Sequence, residues 1–515
     1  MDEKQRAQAC LAACFILPIV IWFLSAKILL GIDEVNARYQ LPYYFQHTFD
    51  FPALWGGLIV GGILAIIACV LITIFGRMTF KGAHYDKHYR GTKLVSQFSL
   101  KHMTKENSVQ ATIGGVPIPT DVETQHFSIS GSTGSGKSTA IKEMMIGPIK
   151  RRERMFILDP DGEFLSLFWK PGDIILNPFD SRTSGWNFFN EIRDPYDFER
   201  FAKSIIQKSK SNDSEEWNRY GRLLFQEVAR KVYNTSRNPT IREVFRWTNQ
   251  TEEKLLEQFV TGTPAQAIFT GNERASSSVR FVLSDKLPPH LKMPNGNFSL
   301  RRWVEDDTQG NLFITWKEGQ KESLTPLISC WVDTIFASIL DLPSDPKRRI
   351  WGWIDELESL GQLPTLGDAL TKGRKKGLCL VTGFQSYTQV EDVYGEKLAE
   401  TLLGQHRSIL ALAVGRLGTG TAEKMSKAIG EHEVLRKKSG SSARFGHAPT
   451  MSSSEDVKPE RVVTASEMTA LPDLEGFLAL PGDRPVARIK LKPIKFRRKT
   501  PVPGIVETSN TFAGR

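Results

Sequence analysis

A glycine-rich stretch around residue 131 has the residue types and the spacing of a phosphate-binding loop. Gly131, Gly136, Lys137 and Ser138 fit the pattern GxxxxGK(S/T), after a short apolar, β-prone stretch and before a plausible helix. In such loops backbone N–H groups and the helix N-terminus hold the phosphates, the lysine reaches the β- and γ-oxygens, and the serine ligates Mg²⁺. The pattern predicts a nucleotide-binding protein. The residues expected to hold the nucleotide are Gly131, Ser132, Thr133, Gly134, Ser135, Gly136, Lys137, Ser138 and Thr139.

Two acidic clusters downstream of the loop could supply a metal ligand and a general base. The apolar strand-like stretch 350–356 closes in Asp355 and Glu356. A carboxylate at such a strand end reaches the Mg²⁺ shell, and the next acidic residue can polarise the attacking water. A rival cluster at an earlier strand end consists of Asp159, Asp161 and Glu163. Glu356 and Glu163 both remain open as the general base; we favour Glu356, with Asp355 and Ser138 on the metal.

An amide and a basic turn flank another strand-like run, 378–383. Gln385 follows the run, where an amide could sense the γ-phosphate or orient water. The basic turn 372–377 precedes it, and a guanidinium there could act in trans as an arginine finger on a neighbouring subunit's nucleotide. A surface glutamine and a solvated charged face are the alternative interpretations.

The order of apolar runs predicts the elements that position these residues. Strand-like runs surround the loop and return after residue 311, alternating with helical patterns, whereas residues 184–300 have helical and often charged patterns. Alternating β and α elements imply a parallel sheet with helices on both faces. We therefore predict one α/β nucleotide domain, residues 77–183 and 301–515, interrupted by an all-α insertion, residues 184–300.

Two long apolar runs precede the α/β pattern. Residues 9–30 contain one charge near one end and residues 51–75 contain none, and each run is long enough to cross a bilayer of about 30 Å. Residues 1–76 are therefore expected to form a two-span membrane domain. Lysines and arginines lie before the first span and after the second, so the positive-inside rule predicts that both termini and the bulk of the chain are cytoplasmic.

The overall charge admits a polyanionic partner. The 515 residues carry a formal net charge of +10 and 5 cysteines, which show no metal-ligand spacing or disulfide framework. A basic chain can bind nucleic acid or anionic lipid, or it can simply present a solvated basic surface.

The order of these motifs resembles that of the conjugative type IV coupling proteins, the TrwB/TraD/TraG family, with the TrwB-like plasmid members nearest. The shared pattern consists of GSTGSGKS behind two spans, LDPDGEF, a helical insertion, WGWIDE, KGRKKG and GFQSYTQVEDVYG. The resemblance implies a RecA-like P-loop core in a DNA-dependent ATPase that forms hexamers in the bacterial inner membrane. It further implies ATP and Mg²⁺ as ligands, and single- and double-stranded DNA, the relaxase or relaxosome, and inner-membrane components of the secretion system as partners.

Carried over to this sequence, the resemblance assigns roles to individual residues. Lys137 and Ser138 would hold phosphate and Mg²⁺, Asp355 and Glu356 would form the second motif, Gln385 would be the sensor, and Arg374 would be the finger. Trp217 is a candidate exposed aromatic residue of the insertion, although ordinary helix packing explains it equally well.

Two C-terminal stretches are less regular. The Ser/Gly-rich stretch from Arg436 to Glu455 is expected to be a mobile loop or a disordered linker. Residues 490–499 form a basic patch, unlike the acidic extensions of some family members.

The prediction that follows is a membrane-anchored ATPase that couples relaxase-bound DNA to a secretion channel and pumps single-stranded DNA. Two alternatives stay open: an ATP-binding docking platform with little turnover, and an FtsK-like DNA translocase.

Overall fold

The computed structural model describes residues 3–29, 37–77, 87–209, 211–270, 273–442, 450–496 and 500–508. Two compact units make up the chain, Met1–Tyr85 and Asp86–Arg515. The second unit is not divided further, so the insertion boundaries at 184 and 300 stay a prediction.

The first unit is helical. Its helices are α1 (Glu3–Leu29), α2 (Ala37–Gln46) and α3 (Pro52–Arg77). Within α1 and α3, Cys10–Ile28 and Pro52–Leu71 are long and apolar enough to cross a membrane. The two predicted spans are therefore helices of spanning length.

Two glycines on α3 set its distance from α1. A Cβ atom on Gly61 would lie 2.6 Å from Cα of Pro18, and one on Gly57 would collide with the side chain of Ser25. Gly56 and Gly62 face open space instead. Small residues let helices in a membrane approach closely, so Gly57 and Gly61 are the pair that permits this contact.

The second unit contains all the strands of the described residues. They are β1 (Lys87–Gly91), β2 (Leu94–Ser96), β3 (Thr112–Ile113), β4 (Val116–Pro117), β5 (Phe127–Ser130), β6 (Arg154–Pro160), β7 (Ile174–Leu176), β8 (Leu312–Trp316), β9 (Ile350–Ile354), β10 (Leu378–Phe384), β11 (Ser408–Leu412), β12 (Glu431–Ser442), β13 (Thr450–Arg461), β14 (Glu475–Ala479) and β15 (Val486–Lys490).

Helices connect most of these strands. They are α4 (Gln97–Met103), α5 (Lys137–Arg151), α6 (Glu163–Phe168), α7 (Pro195–Ile205), α8 (Asn212–Thr235), α9 (Ile241–Phe245), α10 (Glu253–Val260), α11 (Glu273–Lys286), α12 (Pro288–Lys292), α13 (Leu300–Glu305), α14 (Lys321–Asp341), α15 (Leu366–Lys372), α16 (Tyr387–Tyr394), α17 (Glu396–Gly404), α18 (Thr419–Ile429) and α19 (Ala465–Thr469).

One ten-stranded sheet organises the unit, in the order β2-β15-β14-β11-β5-β10-β9-β6-β8-β7. From β11 to β7 every pair is parallel, as the alternation predicts. The expectation of a parallel sheet is wrong at β14, which runs antiparallel to both of its neighbours. The six residues between β14 and β15 explain the second of these pairings, because so short a connection joins antiparallel strands only.

Helices cover both faces of the sheet, as expected. Alternate residues of β6 enter different cores: Phe156 and Leu158 lie in one buried cluster, and Met155 and Ile157 lie in the other. Since successive side chains of a strand point to opposite faces, the sheet is buried on both sides.

The helices α7 to α13 all lie between β7 and β8. In the described part of residues 177–311, β structure is limited to two isolated bridges, so an all-α segment interrupts the sheet as predicted. The helix α14 follows β8 and meets the length and composition of a membrane span, but that segment, Glu318–Asp341, is 78% buried inside the protein. It is a core helix.

The stretch from Arg436 to Glu455 contains strand structure, so its interpretation as a mobile loop or disordered linker is wrong for the described residues. The strands β12 and β13 pair antiparallel from Glu431 with Arg461 to Ser442 with Thr450, and residues 443–449 lie outside the described part. Backbone hydrogen bonds form such a ladder without an alternating apolar pattern, so these strands could not be recognised from the residue types.

Candidate nucleotide site

The phosphate-binding loop connects the buried strand β5 to the helix α5. Gly134 and Gly136 have φ angles of 81° and 114°, which side chains disfavour. A Cβ atom on Gly131 would lie 2.5 Å from Oγ of Ser135 and 2.8 Å from Cβ of Leu412. The three glycines therefore allow the backbone to turn tightly and to present its N–H groups to a ligand.

The lysine of the loop is turned back onto the loop's own carbonyl groups. Nζ of Lys137 donates to the carbonyl oxygens of Gly131 at 2.9 Å and Ser132 at 3.4 Å. Burial lowers the pKa of Lys137, and the negative charges of Asp355 and other nearby carboxylates oppose that shift. The ammonium group therefore lies within the loop, where the phosphate oxygens of a bound nucleotide would compete with these carbonyl oxygens for its hydrogen bonds.

Ser138 and Asp355, the two residues that the sequence suggests as metal ligands, contact each other. Oγ of Ser138 donates to Oδ2 of Asp355 at 2.7 Å. Burial raises the pKa of Asp355, while the hydrogen bond from Ser138 and the charge of Lys137 oppose the rise. Among the described residues, Oδ1 of Asp355 is buried without a hydrogen-bond partner. A hydroxyl and a carboxylate with a free oxygen fit Mg²⁺, which takes one or two protein ligands and completes its shell with water and phosphate.

Glu356 and Gln385 form a chain of hydrogen bonds that ends at the loop. Nε2 of Gln385 donates to Oε1 of Glu356 at 3.1 Å, and Oε1 of Gln385 accepts from Oγ1 of Thr133 at 3.2 Å. The other oxygen of Glu356, Oε2, lies 2.9 Å from Nζ of Lys321. The structure therefore brings the predicted sensor and general base together beside the loop.

The rival acidic cluster divides into a structural residue and a pocket residue. Asp159 is buried and accepts hydrogen bonds from the backbone of Phe164 and Leu165, which hold the start of α6. Burial raises the pKa of Asp159 to about 7 despite these bonds. Glu163 lines the same pocket as Asp355 and Glu356 and pairs with Lys142. Asp161 occupies a left-handed turn with φ of 58°.

Arg374 lies at the other edge of the sheet. The strand β10 runs parallel to β5, with Phe384 opposite Ser130, so Gln385 leaves β10 at the edge that carries the loop. Arg374 is exposed in the turn before β10 begins, one strand length away. Within one chain the structure does not bring Arg374 to the nucleotide pocket.

Several residues of the site had no sequence signal. Lys321 pairs with Glu356 and Lys142 pairs with Glu163, and neither lysine is part of a motif with its partner. Glu358 accepts a hydrogen bond from the backbone N–H of Gln385 at 3.1 Å. Leu474 adopts a left-handed φ of 64° and donates its N–H to the carbonyl of Ser135 at 3.0 Å. Acidic residues after a nucleotide-site strand could have pointed to Glu358, but only the fold reveals the others.

The pocket formed by these elements measures about 350 Å³. That volume lies within the range of about 300–1,000 Å³ usual for ligand sites. Its lining residues are Thr133, Gly134, Gly136, Lys137, Ser138, Thr139, Lys142, Glu163, Asp355, Glu356, Gln385 and Leu474. Gly131, Ser132 and Ser135 lie behind this surface in the loop.

The segment 500–508 packs beside the pocket. The guanidinium of Arg182 donates to the carbonyl of Gly504 at 3.0 Å. Gly504 lies against Gly162, where a Cβ on either residue would meet the other's backbone within 2.7 Å. Gly162 immediately precedes Glu163, so this segment supports the turn that forms one edge of the pocket.

Trp217 is not the exposed aromatic that the sequence suggested. It is half-buried on α8 and packs against the helical core, with its ring 6.2 Å from that of Tyr220. The amphipathic pattern of α8 explains the burial, because one face of the helix must cover the core.

The chain matches a family model described as the type IV secretion-system coupling protein DNA-binding domain, over residues 110–492. It is 30% identical over 465 residues to the coupling protein TraD of Escherichia coli (strain K12). That alignment covers 85% of this chain and 63% of TraD, so the chain spans less than two thirds of that relative.

Solved structures of TrwB share the fold. The unbound bacterial conjugative coupling protein TrwBΔN70 has a TM-score of 0.78 and 45% identity, over 84% of this chain and 99% of that one. The plasmid coupling protein TrwB in complex with ADP and Mg²⁺ has a TM-score of 0.77 and 45% identity, over 84% and 100%. TrwB in complex with the non-hydrolysable ATP analogue ADPNP has the same values.

Proposed function

Since the chain belongs to the coupling proteins of type IV secretion systems, we propose that it is a membrane-anchored ATPase that moves DNA in conjugative transfer. It would couple relaxase-bound DNA to a type IV secretion channel and pump single-stranded DNA. The observation that carries the proposal is the convergence of Ser138, Asp355, Glu356 and Gln385 on one phosphate-binding loop.

The site's residues divide the work of hydrolysis. Lys137 and the loop N–H groups would bind the phosphates of ATP, a role supported by the TrwB complexes with ADP and with ADPNP. Ser138 and Asp355 would hold Mg²⁺, which when bound neutralises phosphate charge. Glu356 would take the proton of the attacking water, and Gln385 would connect that carboxylate to Thr133 and so report the γ-phosphate.

Turnover would need more than one subunit. Arg374 lies at the opposite end of β10 from its own pocket, so the guanidinium would act on the nucleotide of a neighbour in a ring, most simply a hexamer. Motion of the loops around the γ-phosphate would then shift basic segments that grip the DNA backbone. Such a grip tolerates any sequence and weakens with salt.

The partners and location follow from the family and the two apolar helices. We expect single- and double-stranded DNA, the relaxase or relaxosome, and inner-membrane components of the secretion system as partners. The spans at Cys10–Ile28 and Pro52–Leu71 would anchor the chain in the bacterial inner membrane, with both termini and the α/β unit in the cytoplasm.

Loss of the loop lysine tests the proposal. We expect wild-type full-length protein in lipid nanodiscs to hydrolyse ATP, faster with single-stranded DNA, and Lys137→Ala to abolish that turnover. Lys150→Ala is the matched control, because Lys150 is exposed at the far end of the same helix. Phosphate release is the measurement. Absence of wild-type turnover with any DNA would contradict the motor and leave the docking platform.

A further inference from the structure

Both carboxylate oxygens of Glu356 are held by side chains. Oε1 accepts from Gln385 at 3.1 Å, and Oε2 accepts from Nζ of Lys321 at 2.9 Å. A general base must accept a proton from a positioned water. A cation bound directly to one oxygen competes with that water for the carboxylate.

Lys321 keeps its charge at this position. Burial alone would lower the pKa of Lys321, but the hydrogen bond and charge of Glu356 and the charge of Glu318 raise it above its ordinary value. The ammonium group is half-buried and does not line the nucleotide pocket, so its contact with the site runs through Glu356.

The helix that begins at Lys321 extends into the packing of the all-α insertion. Ser204 of α7 donates to the buried Asp333 of α14 at 2.6 Å. Trp186, which follows β7, packs edge-to-face on Trp331 of α14 with ring centroids 5.8 Å apart. A displacement of the insertion would therefore be transmitted to α14 through contacts with buried residues of that helix.

The same helix also holds the segment that follows Glu356. Oγ of Ser329 donates to the carbonyl of Leu360 at 2.5 Å, and the backbone N–H of Thr365 donates to Oδ1 of Asp333 at 2.8 Å. These contacts lie on α14 eight and twelve residues after Lys321, so a tilt of the helix about them would change the separation of Lys321 from Glu356.

From this geometry we propose that Lys321 is a positioning residue that restrains Glu356 until α14 moves. The proposal rests on the proposed function, with Glu356 as general base. The family model that matches residues 110–492, a range that includes the insertion, describes a DNA-binding domain. DNA bound at the insertion shifts α14, its first turn withdraws Lys321 from Oε2, and Glu356 becomes available to the water. Without DNA the ion pair keeps hydrolysis slow.

The experiment compares Lys321→Ala, Lys321→Arg and Lys317→Ala with the wild type, each as full-length protein in nanodiscs. We expect Lys321→Ala to raise the DNA-free kcat about three- to fivefold, the size that one half-buried ion pair can restrain. The KM for ATP should stay unchanged, and the stimulation by single-stranded DNA should fall by the same factor. Lys321→Arg should restore the low DNA-free rate.

Lys317→Ala is the matched control. Lys317 lies four residues earlier and pairs with Glu507 rather than Glu356, so it should behave as wild type. A Lys321→Ala protein whose kcat falls equally with and without DNA, or whose stimulation ratio is unchanged, overturns the restraint. Wild-type protein without any DNA-stimulated turnover would instead overturn the proposed function, so the two failures are distinguishable.

Discussion

Glu356 and Glu163 follow neighbouring strand ends and line one pocket. The strands β9 and β6 pair in parallel, with Ile354 opposite Leu158, so both carry their acidic residues to the same edge of the sheet. The surroundings distinguish the two residues. Glu356 is linked through Gln385 to the loop, whereas Glu163 pairs with Lys142 on α5.

Isosteric removal of each carboxylate separates their roles. We expect Glu356→Gln to lower kcat about 10²- to 10⁴-fold, the usual contribution of a general base, with little change in the KM for ATP. Glu163→Gln should change kcat less than about tenfold, because its loss only frees Lys142. Steady-state ATPase assays with single-stranded DNA give both values, and the opposite ranking would assign the base to Glu163.

At the residue scale, the sequence predicts what a local motif encodes. The loop, Asp355 and Gln385 were found because each lies within or directly after a recognisable apolar run. Lys321 and Leu474 could not be found, since they reach the site from segments far away in the chain that carry no motif. The sequence could not decide whether Glu356 or Glu163 is the general base, because adjacent parallel strands place both residues at one edge of the sheet.

The helix that follows the loop is anchored by a buried carboxylate. Glu143 of α5 accepts hydrogen bonds from Oγ1 of Thr112 at 2.8 Å and from the backbone N–H groups of Gly114 and Gly115 at 2.8 and 2.7 Å. These contacts hold the small β3–β4 hairpin against the phosphate-binding helix.

Glu143→Ala should therefore destabilise the fold. Loss of the carboxylate leaves three hydrogen-bond donors without their acceptor. A buried unsatisfied group lowers the free energy of unfolding by about 1–3 kcal/mol. We expect a lower thermal unfolding midpoint and an unchanged midpoint for Glu400→Ala, whose side chain is exposed on α17. Differential scanning fluorimetry without nucleotide measures both, and equal midpoints would contradict the anchoring role.

At the element scale, burial determined what could be predicted. The strands β9 and β10 begin at Ile350 and Leu378, where the sequence predicts them, because fully buried strands are largely apolar runs. The hairpin β12–β13 was missed since its polar residues pair through the backbone. The antiparallel pairing of β14 with β15 follows from the short connection between them. The alternation of strands and helices, from which the parallel sheet was predicted, takes no account of connection length.

The distance between Arg374 and the loop is a property of the whole molecule. The two lie at opposite edges of one sheet, so Arg374 does not reach the nucleotide pocket of its own chain. Rings with head-to-tail interfaces bring opposite surfaces of identical subunits together. The basic turn in the sequence suggests an arginine finger that acts in trans, and the strand direction supports that proposal because it keeps Arg374 away from the loop of its own chain.

Mixing inactive variants tests this arrangement. We expect Arg374→Ala to bind ATP but not to hydrolyse it, and a mixture with Lys137→Ala to regain activity. In an equal mixture about a quarter of head-to-tail interfaces would combine an intact loop with an intact arginine. Phosphate release is measured against the mixing ratio. Lys375→Ala, an exposed neighbour in the same turn, should stay active. Mixtures that stay inactive at every ratio would contradict action in trans.

The packing of residues 500–508 beside Glu163 gives a labelling position. A small fluorophore attached to the variant Pro503→Cys, whose position is exposed next to Gly504, would lie near the pocket edge, and its emission would report nucleotide occupancy without a substitution in the loop.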